Sequence, residues 1–186
     1  NIGGEGQLIV GALAATAAGL ALRDWPGFLL LPLCLIAGAL AGGAWGGIAG
    51  VLKARLNVNE ILSTVMLNSI AFQLMNWLLR GPLLDPAQRA AGTHIPQTEA
   101  LPESVWLTKL VPRTQLHTGI FLALALAVLV YFLLWRTTLG YRIRTVGLNP
   151  SAARYAGIRV PVYVALSLIL GGAFAGGNVI PFARGG

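Results

Sequence analysis

The residues best placed for binding chemistry lie in residues 136–159, a polar stretch between two long apolar segments. We call this stretch the basic insert. It carries no acidic residue and five arginines, Arg136, Arg142, Arg144, Arg154 and Arg159. Guanidinium groups without acidic neighbours are suited to binding anionic lipid or to docking on a partner. An ordinary basic loop without a binding role is the alternative.

The basic insert also contains the start and stop signals of one short helix over residues 150–156. Asn149 is a favoured N-cap, Pro150 suits the first helical position, and Gly157 suits the left-handed residue after the end. Two turns of helix are not stable alone in water. The small residues Ala152, Ala153 and Ala156 therefore predict a face that docks into a partner.

A second group of polar residues lies close to apolar segments, where polar groups are costly and often line a cavity. Glu5 and Gln7 stand at the start of the first apolar segment, and Asn59 and Glu60 stand before the third. Helix capping and an acid in the first turn explain Asn59 and Glu60 better than solute contact does. For Asn68, inside the third segment with Gln73 and Asn76, interhelical hydrogen bonding and pathway lining remain equally open.

Catalytic and metal-binding patterns are absent from the sequence. It has no Ser/His/Asp arrangement, no HExxH, no carboxylate pair and no GxxxxGK phosphate loop. Its one cysteine, Cys34, lies in an apolar run, and His94 and His117 stand alone. We therefore expect no metal, no cofactor, no intrachain disulfide and no enzymatic activity, so any nucleotide must bind to another chain.

The composition is that of an integral membrane protein, with 56% hydrophobic residues, 10% charged residues and a mean hydropathy of +0.73. A soluble domain has about 25% charged residues. In a membrane protein, a net charge of +7 indicates a role in membrane orientation and in contact with anionic lipid, and not in nucleic-acid binding. The prediction is an all-α, polytopic transmembrane bundle.

Five segments are candidates for spans that need about 20 apolar residues each. They are residues 7–22, 27–52, 61–79, 116–135 and 160–182. The first is short enough for a half-span, and the residues before it could be unwound. Glycines at 38, 42, 46 and 50 predict close helix packing, which says nothing about a solute.

The positive-inside rule assigns the loops to sides of the membrane. The loops at 53–59 and 136–159 carry seven Lys and Arg residues, against four in the longer loop at 80–115. We expect the first two loops to be cytoplasmic and the proline-rich 80–115 loop, with a short helix at 102–110, to be external.

Three motifs in order resemble the permease subunits of bacterial ABC importers. They are NIGGEGQ (1–7), LNVNEILSTVMLN (56–68) and TTLGYRIRTVGLNPSAARYAGI (137–158). The resemblance extends to about residue 177 and is nearest to the nucleoside and simple-sugar type, related to ribose and branched-chain amino-acid permeases. Such permeases are about twice this length, so residues 1–186 form one incomplete domain. The tail at 178–186 departs from the small, apolar continuation expected.

The resemblance implies a transport role in the bacterial cytoplasmic membrane. The partners would be cytoplasmic ATP-binding subunits, a second permease, an extracytoplasmic solute-binding protein and membrane lipid. The basic insert would be the coupling element, with Gly140, Arg142, Gly147, Asn149, Ala152, Ala153, Ala156 and Gly157 in contact with the ATPase. Glu5, Gln7, Asn59, Glu60 and Asn68 are the pathway candidates. A secondary transporter or channel is the rival; a membrane-embedded enzyme is less favoured, since no catalytic set is present.

Overall fold

The computed structural model describes residues 2–92, 95–101 and 119–177, and these residues contain helices and no strand. The helices are α1 (Gly4–Ala21), α2 (Gly27–Leu56), α3 (Glu60–Arg80), α4 (Pro86–Ala90), α5 (Gly119–Arg136), α6 (Thr138–Leu148), α7 (Pro150–Tyr155) and α8 (Val160–Gly177). By length and composition, α1, α2, α3, α5 and α8 could each cross a membrane. The all-α prediction is confirmed.

The structure differs from the sequence prediction at the start of α1 and in two further helices. Helix α1 begins at Gly4, so the expectation of unwound backbone before residue 7 is wrong for residues 4–6. Helix α4 was not predicted; Asp85 caps it by accepting a hydrogen bond from the Ala87 amide at 2.9 Å. Helix α6 was not predicted either. The expected helix at 102–110 and the tail at 178–186 lie outside the described residues.

The centre of the bundle is built from α1, α2 and α8, which all contact one another. Glycines of α2 face glycines of α8 along one seam. A Cβ atom on Gly42 would lie 2.8 Å from Gly176 Cα, and one on Gly38 would lie 2.5 Å from the Gly176 carbonyl oxygen. Both distances are shorter than real side chains tolerate, so the two backbones touch because neither helix carries a side chain there.

The seam continues along α2 and draws in α1. Gly50 lies against Ala165, and Gly46 lies against the Leu168 carbonyl and the Gln7 amide. Gly11 of α1 meets Gly176. The order of these pairs shows that α8 runs antiparallel to α2. The glycines that sequence reasoning treated as general packing therefore form one continuous contact between three helices.

The two ends of the bundle carry different polar contacts. At one end Lys53 pairs with Glu60 at 2.8 Å across the turn that joins α2 to α3. The start of α8 lies at this end, because Gly50 meets Ala165. At the other end Arg23 pairs with Glu99 at 3.8 Å. Residues 53–59 and the end of the basic insert thus share one end of the bundle, and residues 95–101 lie at the other.

The glycine seam predicts a large difference between two Gly→Ala substitutions. We expect Gly42→Ala to force α2 and α8 apart and to destabilise the full-length protein by about 1–3 kcal/mol, the usual cost of overpacking. Gly4→Ala is the matched control, since no atom lies within 4 Å of its Cβ position and alanine favours helix. Thermal unfolding of the purified protein measures both. Equal melting temperatures for the two variants would contradict the seam.

Candidate functional site

The basic insert begins with a tight fold-back of α6 on the end of α5. The Thr137 side chain accepts a hydrogen bond from the Gly140 amide at 3.1 Å, and its hydroxyl donates to the Leu133 carbonyl. A Cβ atom on Gly140 would lie 2.5 Å from both Leu134 Cα and the Leu134 carbonyl oxygen. Only glycine fits this position, so Gly140 sets the angle at which the insert leaves α5.

Helix α7 has the ends that the sequence predicts. The Asn149 side chain accepts a hydrogen bond from the Ala152 amide at 3.0 Å, and Pro150 occupies the first helical position. Gly157 follows the helix with φ of +75°, the left-handed conformation that glycine adopts without strain. The prediction of a short capped helix here is confirmed.

A small apolar cluster fixes α7 to its neighbours. Val146 of α6, Ala153 of α7 and Val160 of α8 are buried together, with Ile158 and Tyr163 packed around them. Ala153 is 0% exposed. It therefore contacts its own chain, and the expectation that it shares an outward face with Ala152 and Ala156 is corrected. A cluster of this kind supplies the stability that two turns of helix lack.

The opposite side of α7 and the end of α6 are open. Leu148 is 87% exposed and Tyr155 is 95% exposed, and Ala152 and Ala156 are exposed beside them. We call Leu148, Ala152, Tyr155 and Ala156 the docking face. Its large apolar members, Leu148 and Tyr155, were not singled out from the sequence. Exposed apolar side chains of this size are typical of interaction surfaces.

Two arginines of the insert point back toward the transmembrane helices. The guanidinium of Arg144 lies 4.1 Å from the centre of the Trp135 ring, a cation–π contact between α6 and α5. Arg142 donates a hydrogen bond to the Tyr163 hydroxyl at 2.8 Å. Both therefore help to hold α6 in place. Gly147 has no neighbour within 4 Å of its Cβ position.

The sequence did contain a signal for α6. Leu139, Ile143 and Val146 follow helical spacing after Thr137, a residue type favoured at N-caps. The surrounding arginines obscured this pattern, because a basic stretch between two spans is typical of a loop.

Asn68 joins α3 to the start of α1. Its side-chain oxygen accepts a hydrogen bond from the Gly6 amide at 2.9 Å, and its Nδ2 donates to the Ile2 carbonyl at 3.1 Å. Helix α1 has no capping side chain of its own, since Gly3 is its N-cap residue. Asn68 therefore caps α1 from another helix.

The depth of this contact explains why a cap is needed. Asn68 lies eight residues after Glu60, which is about 12 Å along the helix axis. Because α1 begins at that level, a membrane crossed by α3 would surround the first turn of α1. In such a layer free backbone amides bond protein groups, since water is absent. Of the two roles left open for Asn68, the structure shows the interhelical hydrogen bonds.

The other polar residues of α1 differ in exposure. Gln7 is 1% exposed and its amide lies against Gly46, within the glycine seam. Glu5 is exposed on the outside of the same turn. Trp45 places its indole nitrogen near Gly6, where it is buried and has no hydrogen-bond partner among the described residues. The start of α1 thus carries the Glu5 carboxylate and the Gln7 amide, and the Asn68 amide and the Trp45 indole lie beside it.

Asn59 and Glu60 lie at the α2–α3 turn and serve its structure. The Asn59 side chain accepts a hydrogen bond from the Ile61 amide at 2.9 Å and caps α3, as the capping interpretation predicted. Glu60 pairs with Lys53. Asn57 ends α2 in the left-handed conformation with φ of 52°. Glu60 also lines a cavity of about 190 Å³ with Ile2, which lies just before α1.

Gln73 and Asn76 lie further along α3, away from that group. Asn76 donates to the Phe72 carbonyl at 3.1 Å, a bond within its own helix. With Gln73, Trp77 and Arg80 it lines a shallow cavity of about 390 Å³ near the end of α3. Within the described ranges, no three His, Cys, Asp or Glu residues converge to hold a metal ion.

The described residues form a helical bundle in which five helices are able to cross a membrane, and this defines a multi-pass membrane protein. Comparison with known proteins then places it more narrowly. The chain belongs to the family described as branched-chain amino acid transport system / permease component, whose profile matches residues 1–178. No solved structure matches the chain significantly.

Three curated relatives are similar over nearly the whole chain. A guanosine ABC transporter permease protein of Bacillus subtilis is 41% identical over 95% of this chain and 49% of its own length. A glucose ABC transporter permease protein of Haloferax volcanii is 37% identical over 94% and 47%. A nucleoside ABC transporter permease protein of Lactococcus lactis is 33% identical over 97% and 50%. The chain spans about half the length of the relatives it matches.

The cap supplied by Asn68 predicts a loss of stability on substitution. Asn68→Leu removes two interhelical hydrogen bonds, each with a contribution of about 0.6–2 kcal/mol in membrane proteins. We expect a lower melting temperature for the full-length protein in detergent or nanodiscs. Asn76→Leu is the control, because among the described residues Asn76 bonds within its own helix, and we expect little change. A heat-stable Asn68→Leu protein that fails to transport would instead favour a direct role in the pathway.

Proposed function

We propose that this chain is part of the permease of an ABC importer in the bacterial cytoplasmic membrane, and that it moves a nucleoside or a simple sugar. The docking face on α7 carries the proposal. It is an exposed, partly apolar surface on a short helix that packs against α6 and the start of α8. The named activities of the guanosine, nucleoside and glucose relatives support the choice of solute.

The packing of the insert suggests how a partner could drive movement. Helix α7 is tied to the start of α8 through Ala153 and Val160. Helix α6 is tied to the end of α5 through Arg144 and the Gly140 turn. Helix α8 in turn packs on α2 and α1. A force applied at α7 by an ATP-binding subunit would therefore reach α5, α8 and the start of α1, while ATP binds and reacts on the other chain.

The solute pathway is proposed to pass the start of α1. A carboxylate inside the apolar layer is costly against lipid and is expected to face a cavity or another protein segment. Glu5 is exposed at the level of Asn68, so it meets this expectation better than Asn59 or Glu60. Gln7 and Trp45 would lie behind it.

The remaining surface leaves room for further subunits. Helix α5 is the least covered of the candidate spans: 6% of its span segment is buried, and it contacts mainly α6. This helix would pack on the remainder of the permease or on lipid. A second permease, two ATP-binding subunits and an extracytoplasmic solute-binding protein complete the proposed transporter, in which this chain is not the enzyme.

A test of the coupling proposal uses the docking face. Ala152→Glu places an unpaired charge on that face, where loss of its hydration on docking is costly, and Tyr155→Ala removes its largest apolar side chain. We expect both variants to reduce copurification of the ATP-binding subunit, or the coupling of ATP hydrolysis to uptake, by tenfold or more. The melting temperature of the permease should stay unchanged, because both residues are exposed.

Ala153→Glu serves as the comparison. It buries a charge in the Val146–Val160 cluster, so we expect it to lower the stability of the permease itself. A transporter with both docking-face substitutions that still binds its ATPase and couples normally would contradict the proposal. Activity without any ATPase would support the rival, a secondary transporter or channel.

Orientation gives a separate prediction. In a Cys34→Ala background, single cysteines at Ser151 and Ala100 should react with an impermeant thiol reagent from opposite sides of the membrane. Both positions are exposed and lie at opposite ends of the bundle. We expect Ser151→Cys to label from the cytoplasmic side. Reaction of both from one side would overturn the assignment of spans.

A further inference from the structure

A cavity of about 590 Å³ opens beside α7 and shares one residue, Ala156, with the docking face. Its walls come from α6, from the link between α7 and α8, and from the first turn of α8. The polar part of the lining consists of Tyr141, Arg142, Arg159 and Tyr163. Hydroxyl and guanidinium groups from separate elements are thus brought to one opening.

Among the described residues, no carboxylate lines this cavity or pairs with its arginines. The ion pairs of the described ranges are Arg23–Glu99 and Lys53–Glu60, and the basic insert has no acidic residue. Arg142 is held in place by the hydrogen bond that it donates to the Tyr163 hydroxyl. Two positive charges therefore line one opening without a carboxylate, an arrangement that favours an anion.

The cavity also has an apolar side and lies at a membrane boundary. Ile158 and Val162 contribute to its wall, and Val162 is 52% exposed. Val160 is the first residue of the span formed by α8, so Arg159 lies just outside that span and Val162 just inside it. Tyrosines are typical of this interfacial depth.

We propose that this cavity binds the phosphate of an anionic phospholipid, with the two arginines and the tyrosines at the headgroup and the side with Ile158 and Val162 at the acyl chains. Under the orientation proposed above, the lipid belongs to the cytoplasmic leaflet. The site would fix the α6–α8 angle, because Arg142 lies on α6 and Arg159 directly precedes α8. Basic pockets between membrane helices are suited to such headgroups.

Two features favour lipid over the ATP-binding subunit as the occupant. The large apolar residues of the docking face, Leu148 and Tyr155, do not line the cavity, and Ala156 is the residue that the two surfaces share. The apolar wall continues into a span, which a soluble domain would not reach. A free phosphate would use the arginines but gain nothing from Val162.

The experiment titrates short-chain phosphatidylglycerol into the full-length permease complex in detergent and counts bound lipid by native mass spectrometry. Each arginine near a membrane surface contributes roughly a fivefold increase in affinity for anionic lipid. We expect Arg142→Gln/Arg159→Gln to weaken phosphatidylglycerol binding about thirtyfold. Arg136→Gln/Arg154→Gln removes the same charge from exposed positions outside the cavity, and binding should change by less than about threefold, since exposed charges contribute little to a specific site.

Two further arms separate the alternatives. Arg142→Lys/Arg159→Lys keeps the charge, so it should retain most binding and show that the glutamine variant has not simply unfolded. Phosphatidylcholine, glycerol phosphate and inorganic phosphate should each fail to compete at the same concentration. Competition by a soluble phosphate would overturn the lipid assignment. Equal losses in the two glutamine pairs, or loss of the ATPase with unchanged lipid binding, would overturn the site.

Discussion

The glycine seam between α2 and α8 is the contact on which the rest of the bundle depends. Lipid tails are as apolar as leucine, so helices in a membrane gain little from hiding apolar surface and associate through close packing instead. The seam meets that need because Gly42 and Gly176 bring two backbones into direct contact. Helix α1 joins at the same point through Gly11, and this places the first turn of α1 against α2 and α3.

The position of α1 creates the second constraint. A helix that begins inside an apolar layer has free amides with no water to bind. Asn68 resolves this from α3, and Gln7 is buried behind it in the seam. Asn68 and Gln7 therefore have structural roles that experiments can separate from contact with a solute. Glu5 remains the exposed charge at this level.

The basic insert divides into an inner and an outer surface. Its inner surface consists of Ala153 and the arginines that contact Trp135 and Tyr163. Its outer surface presents Leu148 and Tyr155 on the docking face. The same segment can therefore be firmly attached to the spans and still offer a partner an exposed surface. The cavity lined by Arg142 and Arg159 opens beside these two surfaces.

Local features of this protein followed from the sequence alone. Composition predicts membrane helices, Asn149, Pro150 and Gly157 predict the bounds of α7, and Asn59 predicts the cap of α3, because each depends on neighbours a few residues away. The motifs also indicated the family. Helix α6 was not predicted, although Leu139, Ile143 and Val146 follow the spacing of an α-helix.

The rest was decided by contacts between distant residues. Which face of α7 is buried depends on Val146 and Val160, and the partner of Asn68 is sixty-two residues away at Gly6. Helical spacing shows which residues share a face, but not which neighbour covers it. Only the packing of α6 and α8 around α7 turned Ala153 inward and left Leu148 and Tyr155 exposed.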